Sequence, residues 1–182
     1  GCSFMAETLR TRQNMIKRLI LLMRTSSDDG KCGVNLQRKR IKSYSMYPTE
    51  IVSPMKAELT DRGFKELTTP EEVDSVMKSQ GTTLLFINSV CGCSAGTARP
   101  GVIMAVQNAT KKPDNIVTSF AGYDIDAVKQ ARTYLVPYPP SSPAIALLKD
   151  GQVVHMIERH MIEGRPAQMI AQNLMQAFEQ HC

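Results

Sequence analysis

The sequence from Met46 to Cys182 predicts an α/β three-layer sandwich: a mixed central sheet with helices on both faces. Three observations carry this. Short apolar runs alternate with helical stretches as far as Leu135, an Asp-Gly turn at Asp150-Gly151 folds one run back on the next, and an amphipathic stretch closes the chain.

The elements follow in order. Pro48 to Leu59 reads as a helix, with Ile51, Val52, Met55 and Leu59 spaced to share one face. Thr69-Pro70-Glu71-Glu72 opens a second helix, with Thr69 as cap, Pro70 at the first helical position and Glu72 at the third, running to about Ser79. Thr82 to Ile87 is a short apolar run broken at Asn88-Ser89, the pattern of a strand buried on both faces. Ser94 to Asn108 has helical composition, with a kink expected at Pro100. Ile116 to Phe120 is a strand, and Asp124 to Leu135 a helix capped by Asp124. A Pro-rich stretch, Val136 to Pro143, leads into the strand Ala144 to Leu148. The turn Lys149-Asp150-Gly151-Gln152 returns the chain as Val153 to Ile157. Pro166 to Glu179 is the last helix, expected to bury Met169, Ile170, Leu174 and Phe178. This order is the plan of a thioredoxin-like domain.

Residues 1–45 do not fit the plan. Ala6 to Arg24 suits a basic helix with Met15, Ile16, Leu19, Ile20 and Met23 on one side, for a membrane surface or for docking. Thr25 to Ser45 is polar, basic and without periodicity. Met46 reads as the natural start of the domain, and what precedes it as an added segment or translated leader. This division also resolves the charge. Residues 1–44 hold ten Lys or Arg against three Asp or Glu, whereas the remainder holds twelve against fourteen. The basic balance therefore says nothing about nucleic acid for the main body. The apolar run Leu19 to Met23 is too short for a membrane span or a secretory signal, so a cytoplasmic protein without a membrane anchor is expected.

Five scattered cysteines make a poor disulfide framework, and only Cys91 and Cys93 are close. A thiol attacks only as thiolate. Cys91 lies just before a helix, whose first amides favour negative charge. Gly92 and Gly96 let substrate approach, and Arg99 is a candidate source of positive potential. A two-residue spacing makes a tight loop, so its disulfide is expected to be more oxidising than that of a Cys-x-x-Cys pair. The competing reading is a pair of buried structural cysteines, since Cys is often buried; a glycine between them, after a strand and before a helix, weighs against it. No metal or other cofactor is expected of the chain alone, because zinc prefers four ligands and the three scattered histidines supply no second pair. Ser142-Pro143, just before a strand, is a second candidate: a cis bond there would set a fixed turn against the thiols, with the Ser142 backbone open to an extended substrate. Taken on sequence alone, base rates favour trans. His155, His160 and the run Glu158-Arg159-His160 suit surface residues ending the last strand better than a proton shuttle. Tyr134 and Tyr138 read as packing residues.

Asn88-Ser89-Val90-Cys91-Gly92-Cys93-Ser94-Ala95-Gly96, then Ala98-Arg99-Pro100, Pro140-Ser141-Ser142-Pro143 and Cys182, resemble the bacilliredoxin family, over about residues 46–182. Met46-Tyr47-Pro48 also resembles that family's N-terminus. The resemblance implies a thioredoxin-like thiol–disulfide oxidoreductase that removes bacillithiol, a low-molecular-weight thiol, from mixed disulfides on oxidised proteins. Disulfide isomerase activity is also associated with the family. It implies Cys91 as the attacking thiolate, Cys93 as the resolving thiol, and Gly92 with a cis Ser142-Pro143 turn facing substrate. Cys182 matches the family's terminal cysteine, whose role stays open between resolving, modification and simple exposure. The alternative is a thioredoxin-like binding module that holds a soft metal or iron–sulfur centre through Cys91 and Cys93 with a partner's cysteines. Protein substrates, the resetting reductant and oligomeric state are not readable.

Overall fold

The computed structural model describes residues 45–182. The basic extension, apart from Ser45, lies outside the described residues, and with it the helix expected over Ala6 to Arg24 and the cysteines Cys2 and Cys32. The elements are α1 (Thr49–Thr60), β1 (Lys65–Glu66), α2 (Pro70–Met77), β2 (Thr82–Asn88), a π-helical turn (Ser94–Ala98) running into α3 (Arg99–Asn108), β3 (Asn115–Phe120), α4 (Ile125–Thr133), β4 (Ala144–Lys149), β5 (Gln152–Ile157), α5 (Arg159–Ile162) and α6 (Ala167–His181). None of these helices is long and apolar enough to cross a membrane.

The strands form one sheet in the order β1-β3-β2-β4-β5. β1, β3 and β2 run parallel, while β4 is antiparallel to β2 and β5 to β4. β2 lies at the centre with all seven residues buried, as its unbroken apolar run demands. Its side chains alternate between two cores. Leu84 and Phe86 join Leu59, Val102, Leu174 and Phe178 on one face; Leu85 and Ile87 join Val73, Val128 and Ala131 on the other. The result is the thioredoxin-like mixed sheet covered on both faces. α3 and α6 meet closely because Gly101 has no side chain: a Cβ there would stand 2.8 Å from the Cβ of Ile170.

Local signals set most boundaries. Thr69 and Glu72 form the expected capping box at the start of α2. Asp150 and Gly151 both take positive φ, 49° and 78°, which suits a tight turn between antiparallel strands. The kink expected at Pro100 is a π turn instead. Proline has no N–H to donate and its ring crowds the carbonyl four residues back, and the N–H of Arg99 bonds the oxygen of Ser94, five back.

Several expectations are corrected. α2 stops at Met77, and Ser79 turns its hydroxyl onto the carbonyl of Val76. Ile51 and Met169, placed on buried helix faces by spacing, are exposed, whereas Val52, Leu59, Ile170, Leu174 and Phe178 are buried. Asp124 begins α4 but makes no cap hydrogen bond; its carboxylate accepts from the N–H of Phe120 and pairs with Lys56 at 2.8 Å. Glu158-Arg159-His160 does not end the last strand, because Arg159 and His160 open the short helix α5. The Ser142–Pro143 bond is cis against the base rate, and Val136–Pro137 is cis as well.

Candidate active site

β2 delivers the site. Where its apolar run gives way to Asn88, the chain leaves the sheet and Ser89, Val90 and Cys91 lead into a helical turn. Asn88 is nearly fully buried and anchors this loop. Its Oδ1 accepts from the N–H of Ser89 at 2.8 Å, the hydroxyl of Ser94 at 2.7 Å and Nη1 of Arg99 at 3.3 Å. The N–H groups of Ser94 and Ala95 both reach the carbonyl of Cys91, so Cys91 stands at the first turn of the helix. Cys91 and Cys93 are joined as a disulfide, with Cα atoms 5.4 Å apart.

The environment of the two sulfurs differs. Sγ of Cys91 accepts from the N–H of Ser94 at 3.3 Å and lies 3.2 Å from the hydroxyl of Ser89. Both contacts suit a thiolate once the disulfide is reduced, since donors aimed at the charged form favour it. Cys93 packs instead against the core beneath α3. Both residues are only partly buried, and Gly92 between them is exposed with open space where a Cβ would be.

Arg99, whose direction the sequence leaves open, bonds Glu58, Asn88 and Ser89, and of these Ser89 touches Cys91. Arg99 is 3% exposed, and its Nε donates to Oε2 of Glu58 at 2.7 Å while Nη1 donates to Asn88 and to the carbonyl of Ser89. Its charge ties α1 to the loop that carries Cys91. Asn88 was read from sequence only as a strand breaker and small polar neighbour; the usable signal was a carboxamide at the end of a buried run, which must find partners.

The register of the sheet brings up the proline turn. Ala144 of β4 lies opposite Ile87 of β2, so the cis Ser142–Pro143 turn enters the sheet at the end of β2 from which the thiol loop leaves. The carbonyl of Ser142 accepts from Nη1 of Arg159 at 3.4 Å. Cys182 is not part of this group. Its thiol lies beside Thr82, at the start of β2, and burial pushes it above the ordinary thiol value. His155 bonds Asn173, Tyr134 donates to Asp74 and His160 is exposed on α5; the polar contacts of the Cys91 sulfur are instead with Ser89 and Ser94. Among the described residues no three His, Cys, Asp or Glu side chains are grouped to hold a metal ion.

Reversible bonding between two sulfurs on this fold is the chemistry of thioredoxin-like thiol–disulfide oxidoreductases, and the domain is of that class. A family model described as Disulphide isomerase matches residues 47–182. A bacilliredoxin of Cytophaga hutchinsonii is 57% identical over 135 residues, 74% of this chain and 99% of that protein. A bacilliredoxin of Bacillus licheniformis is 50% identical over 141 residues, 77% of this chain and 98% of its own length. The chain belongs to the bacilliredoxin family. Among solved structures, the oxidised thioredoxin from Plasmodium falciparum is similar at a TM-score of 0.46 and 17% identity, covering 64% of this chain and 98% of that one.

Proposed function

We propose that the protein removes bacillithiol from mixed disulfides on oxidised cytoplasmic proteins, with Cys91 as the attacking and Cys93 as the resolving thiol. The thiolate of Cys91 attacks the sulfur of the small thiol. A Cys91–thiol disulfide forms, the bond to the substrate protein breaks, and the protein leaves as thiolate and takes a proton from water. Cys93, giving its proton to solvent, then attacks Sγ of Cys91 and releases the small thiol, which leaves the Cys91–Cys93 disulfide. A thiol reductant supplies the two electrons that reset it.

The observation that carries this reading is the pair of contacts on Sγ of Cys91, the N–H of Ser94 and the hydroxyl of Ser89, which Cys93 lacks among the described residues. They mark Cys91 as the sulfur better able to hold negative charge. Ser142, Pro143 and Gly92 are proposed to face the substrate, whose extended backbone adds along Ser142 as a strand would. Arg99 is proposed as a positioning residue. The matched family's description favours disulfide isomerisation as a second activity of the same thiols.

The test is intact-mass spectrometry of the reduced full chain mixed with a reporter protein carrying bacillithiol. A transient adduct on Cys91 is expected, persisting in Cys93→Ser and absent from Cys91→Ser. De-thiolation that survives Cys91→Ser, or an adduct found first on Cys93, overturns the assignment.

A further inference from the structure

A cavity of about 420 Å³ opens on the α4 side of the sheet, walled in part by Ala121 and Gly122 just after β3. Its walls are apolar, from Met46, Ile125, Val128 and Pro140, but two cations line it, Lys129 and Arg132, and among the described residues no acid does. Arg132 is the unusual member. Its Nε is buried and has no hydrogen-bond partner among the described residues, which is costly for a charged donor. Burial also pushes its guanidinium below the ordinary value. The same side chain borders a second, much smaller hollow beneath Pro140 and Ser141, the loop that runs into Ser142-Pro143.

The cavity is within reach of the chemistry. Ala121 in its wall donates its N–H to the carbonyl of Asn88 at 2.9 Å. Two residues, Ser89 and Val90, separate Asn88 from Cys91, a span of at most about 11 Å. On its other side, Pro140 stands three residues before Pro143.

We propose that this cavity is a subsite for the small thiol, holding a carboxylate-bearing part against Arg132 and Lys129 while its sulfur lies at Cys91. The inference rests on the de-thiolation reading above and deepens it by naming the chemical class that the site selects. An apolar wall with paired cations suits a compact organic anion, whose carboxylate would pair with the guanidinium of Arg132 and the ammonium of Lys129. Holding the small thiol here also decides which of the two sulfurs is attacked. The new bond forms between Cys91 and the held sulfur, and the electron pair of the broken bond leaves with the substrate protein.

The experiment uses the full chain and a one-cysteine reporter loaded with mercaptosuccinate, which has two carboxylates, with uncharged 2-mercaptoethanol, or with bacillithiol. Wild type should strip the mercaptosuccinate adduct at least about tenfold faster than the 2-mercaptoethanol adduct, the scale of one charge-assisted hydrogen bond. Arg132→Gln should reduce that ratio about tenfold, Arg132→Lys should retain part of it, and Lys129→Gln should lower it without risk to folding because Lys129 is exposed. Lys112→Gln, on a remote exposed site, should leave the ratio as in wild type. A wild-type ratio near one, or a ratio unchanged in both Arg132→Gln and Lys129→Gln, overturns the subsite and leaves de-thiolation standing. Failure of wild type to strip any of the three adducts, bacillithiol included, overturns the de-thiolation reading and the subsite with it.

Discussion

Arg99 is a full charge held at 3% exposure, and its partners decide what it does. Three acceptors surround it: the carboxylate of Glu58, the carboxamide oxygen of Asn88 and the carbonyl of Ser89. A buried ion kept by this many partners stabilises one geometry, and removing it strands the acceptors. Arg99→Met is expected to cost about 2–4 kcal/mol of stability in urea unfolding. Glu58→Gln is expected to cost less, because Glu58 is 47% exposed and water can serve in its place. Equal losses from the two would mean that the pair, and not the loop anchored by Asn88 and Ser89, is what Arg99 supports. The sequence offered Arg99 as an accessory residue and left its direction open, because its partners Asn88 and Glu58 are distant in the chain and meet it only once α1 and the thiol loop have packed. The cysteines were legible for the opposite reason. Their spacing, the glycine between them and the helix after them are all local.

At the level of elements, hydrophobic period and end signals carried most of the fold. The capping box of α2, the buried run of β2 and the Asp150-Gly151 turn each lie within a few residues of chain. β1 and α5 were missed because two and four residues hold no period to read. What joins elements to one another is less legible, and Asp74 shows how. It lies on α2, and its Oδ1 accepts from Gln130 at 2.7 Å on α4 and from the hydroxyl of Tyr134 at 2.8 Å just beyond, while Oδ2 takes Lys78. These donors, Gln130 first, then Tyr134 and Lys78, hold the carboxyl at about 2 against an ordinary 3.8. The folded value is the depressed one. The stabilisation is therefore present above about pH 4 and is lost as pH falls toward 2. Asp74→Asn should lower the urea midpoint at neutral pH, and the gap from wild type should narrow between pH 4 and pH 2. A gap constant across that window would show that the clamp between α2 and α4 does not depend on the charge.

Across the whole domain, the sheet separates the two kinds of described cysteine. Cys182 sits beside Thr82 at one end of β2, and Cys91 follows the other end, Asn88. Seven residues of strand at about 3.3 Å each put roughly 20 Å of buried sheet between them. A resolving thiol must touch the mixed disulfide, so Cys182 cannot serve Cys91 of its own chain without unfolding the sheet centre. Burial, the largest influence on the Cys182 thiol, also keeps it protonated at neutral pH, with the Thr82 hydrogen bond acting against that. No sequence pattern could settle this role, because a strand's direction relative to the chain end depends on the full order β1-β3-β2-β4-β5. Cys182→Ser should therefore turn over a thiolated reporter at the wild-type rate. Cys93→Ser and the double variant Cys93→Ser with Cys182→Ser should hold their Cys91 adducts equally long when followed by intact mass at low protein concentration. Appearance of a Cys91–Cys182 disulfide within single chains of Cys93→Ser would mean that the two ends of β2 approach each other in solution, and the separation of roles argued from the sheet would fall.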